Sequence, residues 1–227
     1  MTAPFTVERD DPYTLSDAEA DVLLTGAPWR RVAVLGDSLA EGLGEPVEGY
    51  ETSPWADRVV AALRRQQPDL EYLNLGVRNL KSAEVRANQL APALEFKPDL
   101  VMYVAGGNDL FVPKFDPAPT RVEVDAVIEP LRAGGAEIIT FTLMNITAAV
   151  PEIAALAPLM EQLNRQVVEI SEERGALLVD MWNHPVSGEP GAYSSDKMHA
   201  SMRGHAVLAA EVIRRLGARL AADRDNG

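Results

Sequence analysis

Short apolar runs rich in branched residues recur at Arg31 to Leu35, Leu70 to Leu75, Leu100 to Val104, Ile138 to Leu143 and Leu177 to Met181. Each has the length of a buried strand. Between and after them the apolar positions change to helical spacing, over Trp55 to Gln66, Ala83 to Leu94, Val122 to Arg132, Pro151 to Arg174 and Ser201 to Ala222. In the last segment Ala206, Leu208, Ala209, Val212, Ile213 and Leu216 fall on one helical face. Strands alternating with helices predict a parallel sheet of about five strands with helices on both faces, a three-layer α/β/α fold.

Residues at the segment ends support this division. Ser53-Pro54 and Pro151 are suited to start helices, and Gly134-Gly135 and Gly175 to end them. Ser16-Asp17-Ala18-Glu19 has the spacing of a capping box ahead of Ala20-Asp21-Val22-Leu23-Leu24, which predicts a short helix. The expected organisation is an N-terminal extension over residues 1–30, a single domain over 31–223 and a tail at 224–227.

Composition narrows the partners. The chain has 227 residues, 47% of them hydrophobic, enough for one substantial core. A net charge of −13 repels polyanions, so nucleic acid is not an expected partner. No stretch approaches the roughly 20 apolar residues that span a bilayer. The start, Met1 to Asp11, lacks the basic and apolar regions of a secretory signal, and a cytoplasmic location is expected. No sequence feature specifies an oligomeric state.

There is no cysteine, and the three histidines, His184, His199 and His205, have no metal-ligand spacing. Neither a metal nor a cofactor is expected. Gly42-Leu43-Gly44 follows the first strand as a dinucleotide-binding turn would, but Val47 stands where the third glycine belongs.

Reacting groups in an open parallel sheet gather beyond the carboxyl ends of its strands. There the chain places Gly36-Asp37-Ser38-Leu39, Asn74-Leu75-Gly76 and Gly107-Asn108-Asp109, and near its end Asp196-Lys197-Met198-His199. Acyl transfer by serine needs a nucleophile, a base for its proton and a carboxylate to orient the base. Ser38, His199 and Asp196 supply these types, and Asp-x-x-His lets one turn of chain present both side chains. The developing oxyanion needs donors, for which the Ser38 N–H, the Gly76 N–H and the Asn108 amide are candidates. Asp37 and Asp109 have the character of loop-bracing turn residues.

These four blocks, in this order, resemble the SGNH hydrolases of the GDSL esterase and lipase group over about residues 31 to 216. The resemblance implies a flavodoxin-like sheet and a metal-independent, two-step reaction through an acyl-enzyme. In it Ser38 attacks, His199 acts as base and then acid, Asp196 holds His199, and Ser38, Gly76 and Asn108 form the oxyanion hole. The sequence departs from the family after the second block's glycine, where Val77-Arg78-Asn79-Leu80-Lys81 replaces the small residues often found there.

The substrate is expected to be a small acyl ester of short or medium chain. Leu110, Phe111, Val112 and Phe115 in one loop, and Met144, Ile146, Val150 and Ile153 in another, are apolar enough to line an acyl pocket. Arg78 and Lys81 could contact a polar acceptor, which leaves transfer of the acyl group to a sugar or small metabolite as the alternative. A non-catalytic flavodoxin-like binding module is the remote alternative, since it has no use for the late Asp-x-x-His pair.

Overall fold

A computed structural model describes residues 5–112 and 115–226; Met1 to Pro4 of the extension and Gly227 of the tail lie outside them. The strands are β1 (Arg31–Gly36), β2 (Glu71–Asn74), β3 (Leu100–Val104), β4 (Glu137–Phe141) and β5 (Leu177–Val179). The helices are α1 (Thr6–Asp10), α2 (Asp17–Leu23), α3 (Ser38–Glu41), α4 (Trp55–Gln66), α5 (Ser82–Phe96), α6 (Pro117–Ala133), α7 (Ile146–Ala149), α8 (Ala157–Arg174) and α9 (Met202–Asn226). All strands are parallel, in the order β2-β1-β3-β4-β5. This is a three-layer flavodoxin-like α/β fold.

Side chains alternate across a strand, so β1 feeds two cores. Val32 and Val34 pack with Trp55, Val59, Leu63, Val207 and Leu216 from α4 and α9. Ala33 and Leu35 pack with Val85, Val124, Val127 and Ile128 from α5 and α6. Strands buried on both faces read as continuous apolar runs, as β3 does, with every residue buried. Edge strand β2 is partly exposed instead.

The sheet order reverses at β1, because the chain moves out to β2 and then returns to place β3 on the other side. The ends of β1 and β3 therefore open a crevice at a topological switch point. Gly36 makes the junction close: its φ is 145°, and a Cβ there would stand 1.8 Å from the Val104 carbonyl oxygen. The buried Gln89 amide of α5 satisfies both backbone groups of Gly36, donating to its carbonyl and accepting from its N–H at 2.8 Å each.

The start of α8 and the ends of β4 and β5 differ from the periodicity for local reasons. The segment expected to be one helix from Pro151 forms a 3₁₀ turn over Pro151–Leu156 before α8 starts at Ala157. Pro158 lacks an N–H, and its ring would strike the Ala154 carbonyl in a continuous α-helix. Strands β4 and β5 end early because Thr142 takes over their last partners. Its hydroxyl accepts from Met181 and Trp182 N–H groups at 2.8 and 2.9 Å and donates to Asp180 at 2.9 Å.

In the extension, Ser16 and Glu19 form the reciprocal capping box at the start of α2. Asp11 ties this segment to the body, accepting from the Tyr50 hydroxyl at 2.6 Å and from Arg203 Nε at 2.7 Å. No helix among the described residues is long and apolar enough to cross a membrane.

Trp55 links the core to the turn that carries Ser38. It is fully buried, meets the Phe141 ring edge-on at 5.0 Å and donates its indole N–H to the Leu39 carbonyl at 2.7 Å. Trp55→Ala should lower stability by about 3–5 kcal/mol. Urea denaturation checks this, and a loss below about 1 kcal/mol would show that the site collapses around the vacancy.

Candidate active site

Ser38 is separated from β1 by Asp37 alone and is the first residue of α3. A helix leaves its first N–H groups without intrahelical partners, so the Ser38 N–H is a donor in the crevice. Asp37 caps this turn, its carboxylate accepting from the Leu39 N–H at 3.2 Å. Burial pushes the Asp37 pKa up to about 6, with the Leu39 N–H and the His199 ring opposing and Asp109 reinforcing the rise.

Asp196 and His199 sit in a tight loop just before α9. The loop is closed by Ser194 N–H donating to the His199 carbonyl at 2.8 Å and Lys197 N–H donating to the Ser194 carbonyl at 2.9 Å. Lys197 takes a left-handed φ of 55° to make the turn. Asp196 Oδ1 accepts from the Met198 and His199 N–H groups at 2.9 and 3.0 Å, and Oδ2 lies 2.6 Å from His199 Nδ1. The other ring nitrogen, Nε2, lies 3.1 Å from Ser38 Oγ. Partial burial raises the Asp196 pKa, but the bonds from the His199 ring and the two N–H groups outweigh it and hold it below the usual carboxylate range. The three side chains form one hydrogen-bonded line from carboxylate to hydroxyl.

Asn108 lies in the 3₁₀ turn Gly107–Phe111 that follows β3. Its amide donates to the Leu80 carbonyl at 3.0 Å and lies 3.5 Å from Asp37 Oδ2. Asn79, at φ 67°, takes the left-handed conformation that asparagine tolerates, immediately before Leu80. Asp109 accepts from the Ser82 N–H and hydroxyl at 3.0 Å each, fastening the start of α5 to the end of β3.

Gly76, expected as an oxyanion donor, lies in the loop after β2. Its N–H is engaged by its neighbour Asn74, Oδ1 accepting at 2.9 Å. What the glycine provides is close approach: a Cβ would stand 2.3 Å from the Glu41 nitrogen and 2.4 Å from the Ala40 carbonyl carbon. It lets the loop after β2 lie on α3, where Asn74 also donates to the Ala40 carbonyl at 2.8 Å.

A cavity of about 170 Å³ opens beside Ser38, Asn108 and His199. Its walls are mainly apolar: Leu39, Leu110, Phe111, Leu143, Met144, Ile146, Ile153, Leu156, Met160 and Met198. Arg78 and Lys81, expected at the pocket, are not part of its lining. Arg78 instead grips Glu41 with its guanidinium and backbone N–H, at 2.5 to 3.1 Å. The Lys81 N–H is capped by Glu84 at 2.9 Å as α5 begins. Lys197 lines the mouth and lies 3.6 Å from Glu152.

The other two histidines have structural partners. His205 is fully buried, accepts from the Trp55 N–H at 3.2 Å through Nδ1 and lies 3.1 Å from the Leu43 carbonyl through Nε2. Burial pushes its pKa down to about 4. His184 caps the turn Pro185–Gly188.

The sequence profile of the GDSL-like lipase/acylhydrolase family matches residues 34–207. Acetylxylan esterase Axe2 from Geobacillus stearothermophilus is similar in structure, with a TM-score of 0.66 and 23% identity over 85% of this chain and 95% of that one. LAE5, an alpha/beta hydrolase enzyme from the metagenome of Lake Arreo, Spain, has a TM-score of 0.70 and 19% identity over 86% of this chain and 98% of that one. A Parabacteroides merdae protein assigned as a GDSL-like lipase has a TM-score of 0.70 and 18% identity over 82% and 95%. No curated protein matches. At these identities the likeness to the solved structures is one of fold.

The burial of Asp37 yields a pH-dependent prediction. Unfolded, its carboxyl ionises near 3.8; folded, it keeps its proton to about 6. Between these values the folded state binds more protons, so this group's contribution is full below pH 3.8 and is lost as pH rises through 6. Asp37→Asn keeps a good helix cap and removes the titration. Its stability relative to wild type should rise by up to roughly 3 kcal/mol across that window. Urea denaturation at pH 4 and pH 8 checks this; a difference independent of pH would contradict it.

Proposed function

The chain belongs to the GDSL-like lipase/acylhydrolase family and is a carboxylic ester hydrolase, and from that premise we propose that it cleaves short- or medium-chain acyl esters through an acyl-enzyme on Ser38. The observation that carries this reading is the line of contacts from Asp196 to His199 at 2.6 Å and from His199 to Ser38 at 3.1 Å. A base within hydrogen-bond reach of the nucleophile, itself oriented by a third group, is the geometry nucleophilic catalysis needs.

In the first half-reaction Ser38 Oγ attacks the ester carbonyl carbon while its proton passes to His199 Nε2. The imidazolium is stabilised by Asp196, which accepts from Nδ1. The carbonyl oxygen, now an anion, meets the Ser38 N–H and the Asn108 amide. Collapse breaks the bond to the alcohol oxygen, which takes the proton from His199 and leaves. In the second half a water attacks the Ser38 ester, giving its proton to His199. The proton returns to Ser38 Oγ as the acid is released. Gly76 also packs the β2 loop onto α3, and its N–H meets Asn74 Oδ1 at 2.9 Å.

Cavity size and lining favour an acyl chain of intermediate length. An apolar cavity of about 150 Å³ in another protein accepts benzene, so this one is suited to about six carbons. The acetyl group named for Axe2 would leave much of the apolar wall uncovered. Each buried methylene is worth about 0.8 kcal/mol, or roughly fourfold in kcat/KM, until the cavity is full. Arg78, which raised the thought of a polar acceptor, is ion-paired to Glu41 and favours no transferase reading.

Two outcomes follow. Ser38→Ala and His199→Ala should each lower kcat for p-nitrophenyl hexanoate by at least about a thousandfold, and the double variant should be no worse, because the groups act as a unit. Near wild-type turnover by a folded Ser38→Ala protein would refute the assignment. Across p-nitrophenyl esters from two to sixteen carbons, kcat/KM should peak near six to eight; an optimum at acetyl or at the longest chains would contradict the cavity argument.

A further inference from the structure

Ser38 and His199 lie 161 residues apart, and their contact requires two loops to be held in register. One loop leaves α3 through Gly42 to Glu45; the other carries Ser194 to His199. Apolar packing holds little of the second, because Ser195, Asp196, Lys197 and Met198 are all exposed. Polar contacts must hold it in place.

Glu45 makes those contacts from the nucleophile's side. Its carboxylate accepts from the Ser195 N–H at 2.8 Å and from the Ser195 hydroxyl at 2.5 Å. Its own N–H donates to Ser194 Oγ at 3.0 Å, and its carbonyl accepts from the Met202 N–H at 2.9 Å. Ser194 Oγ in turn donates to the Ala200 carbonyl at 3.1 Å. Glu45 therefore grips the chain on both sides of the Asp196–His199 turn. Preceding it, Gly44 lies so close that a Cβ would stand 2.5 Å from the Ala200 oxygen and 2.8 Å from the His205 ring.

Resting on the reading of Ser38 and His199 as the reacting pair, we propose that Glu45 is a positioning residue that locks the Asp196–His199 loop to the loop leaving the nucleophile. It touches no substrate. Its carboxylate fixes Ser195, the residue next to Asp196, so its loss lets the imidazole drift from Ser38, while the apolar walls of the cavity other than Met198 come from other segments and stay in place. Turnover should fall and substrate binding should not.

Steady-state kinetics on p-nitrophenyl hexanoate test this with Glu45→Ala, Glu45→Gln, Ser195→Ala and, as a control in the same loop, Glu48→Ala. Displacements of about an ångström can cost about a hundredfold, so Glu45→Ala should lower kcat by about ten- to a hundredfold with KM changed less than about twofold. Glu45→Gln, whose amide oxygen still accepts from Ser195, should recover most of the loss. Ser195→Ala should lose less than Glu45→Ala because the Ser195 N–H remains, and Glu48→Ala should match wild type. Wild-type kcat in Glu45→Ala, a loss confined to KM, or no recovery with Gln would overturn the proposal. If Glu45→Ala does not fold, the Gln and Ser195 variants carry the same test through the ratio of kcat to KM effects. Activity surviving in Ser38→Ala would instead overturn the catalytic reading on which this one rests.

Discussion

The approach of β1 to β3 at their carboxyl ends is the constraint on which the site depends. Parallel pairing sets Gly36 opposite Val104, and only a residue without a side chain fits there. The Gln89 amide then satisfies the Gly36 backbone, so the strand can stop inside the protein without leaving polar groups unpaired. Once the strand stops, the next residues turn into α3, and the Ser38 hydroxyl and N–H face the crevice beside the turn that bears Asn108. His199 arrives from the far end of the chain, on a loop whose place is set by polar contacts to the segment after α3. Ser38 and Asn108 are thus fixed by the sheet, and His199 by hydrogen bonds across loops.

The surroundings of that crevice divide by polarity. On one side the Asp37 and Asp109 carboxylates accept from backbone donors at the starts of α3 and α5, with Asp37 so buried that it resists ionisation. On the other lies an apolar cavity wide enough for a modest acyl chain. On the acyl-enzyme reading, a charged intermediate forming at the boundary would meet fixed donors rather than water, where each bond is stronger than it would be in solution. The chain's net charge of −13 acts at longer range and disfavours anionic substrates at the same mouth.

Much of this was legible in the residues, for physical reasons that also explain what was not. The apolar stripe of Trp55–Gln66 reads directly as α4, because a helix with one wholly buried face leaves a period in the sequence. The blocks around Ser38 and Asn108 stand out because they fall just after strands, and His199 because it stands three residues after Asp196 just before α9. Pro158 shifts the start of α8, a local steric effect that apolar spacing hides. Gly76 reads as a donor; that its missing Cβ also lets the loop after β2 lie on α3 is seen only in the fold. Arg78 looks free and is paired with Glu41, 37 residues away in the chain. Gln89 and Glu45 belong to no motif; their importance comes from contacts 53 and 150 residues distant, which only the fold brings together.

The account's central claim is that Ser38 is a nucleophile made reactive by His199. Labelling with a fluorophosphonate, which forms a stable bond with an activated serine, followed by peptide mass mapping, tests it most directly. The adduct should fall on the peptide carrying Ser38 in the wild-type protein and should be lost in His199→Ala. Labelling at another serine, or undiminished labelling of Ser38 in the absence of His199, would contradict the account.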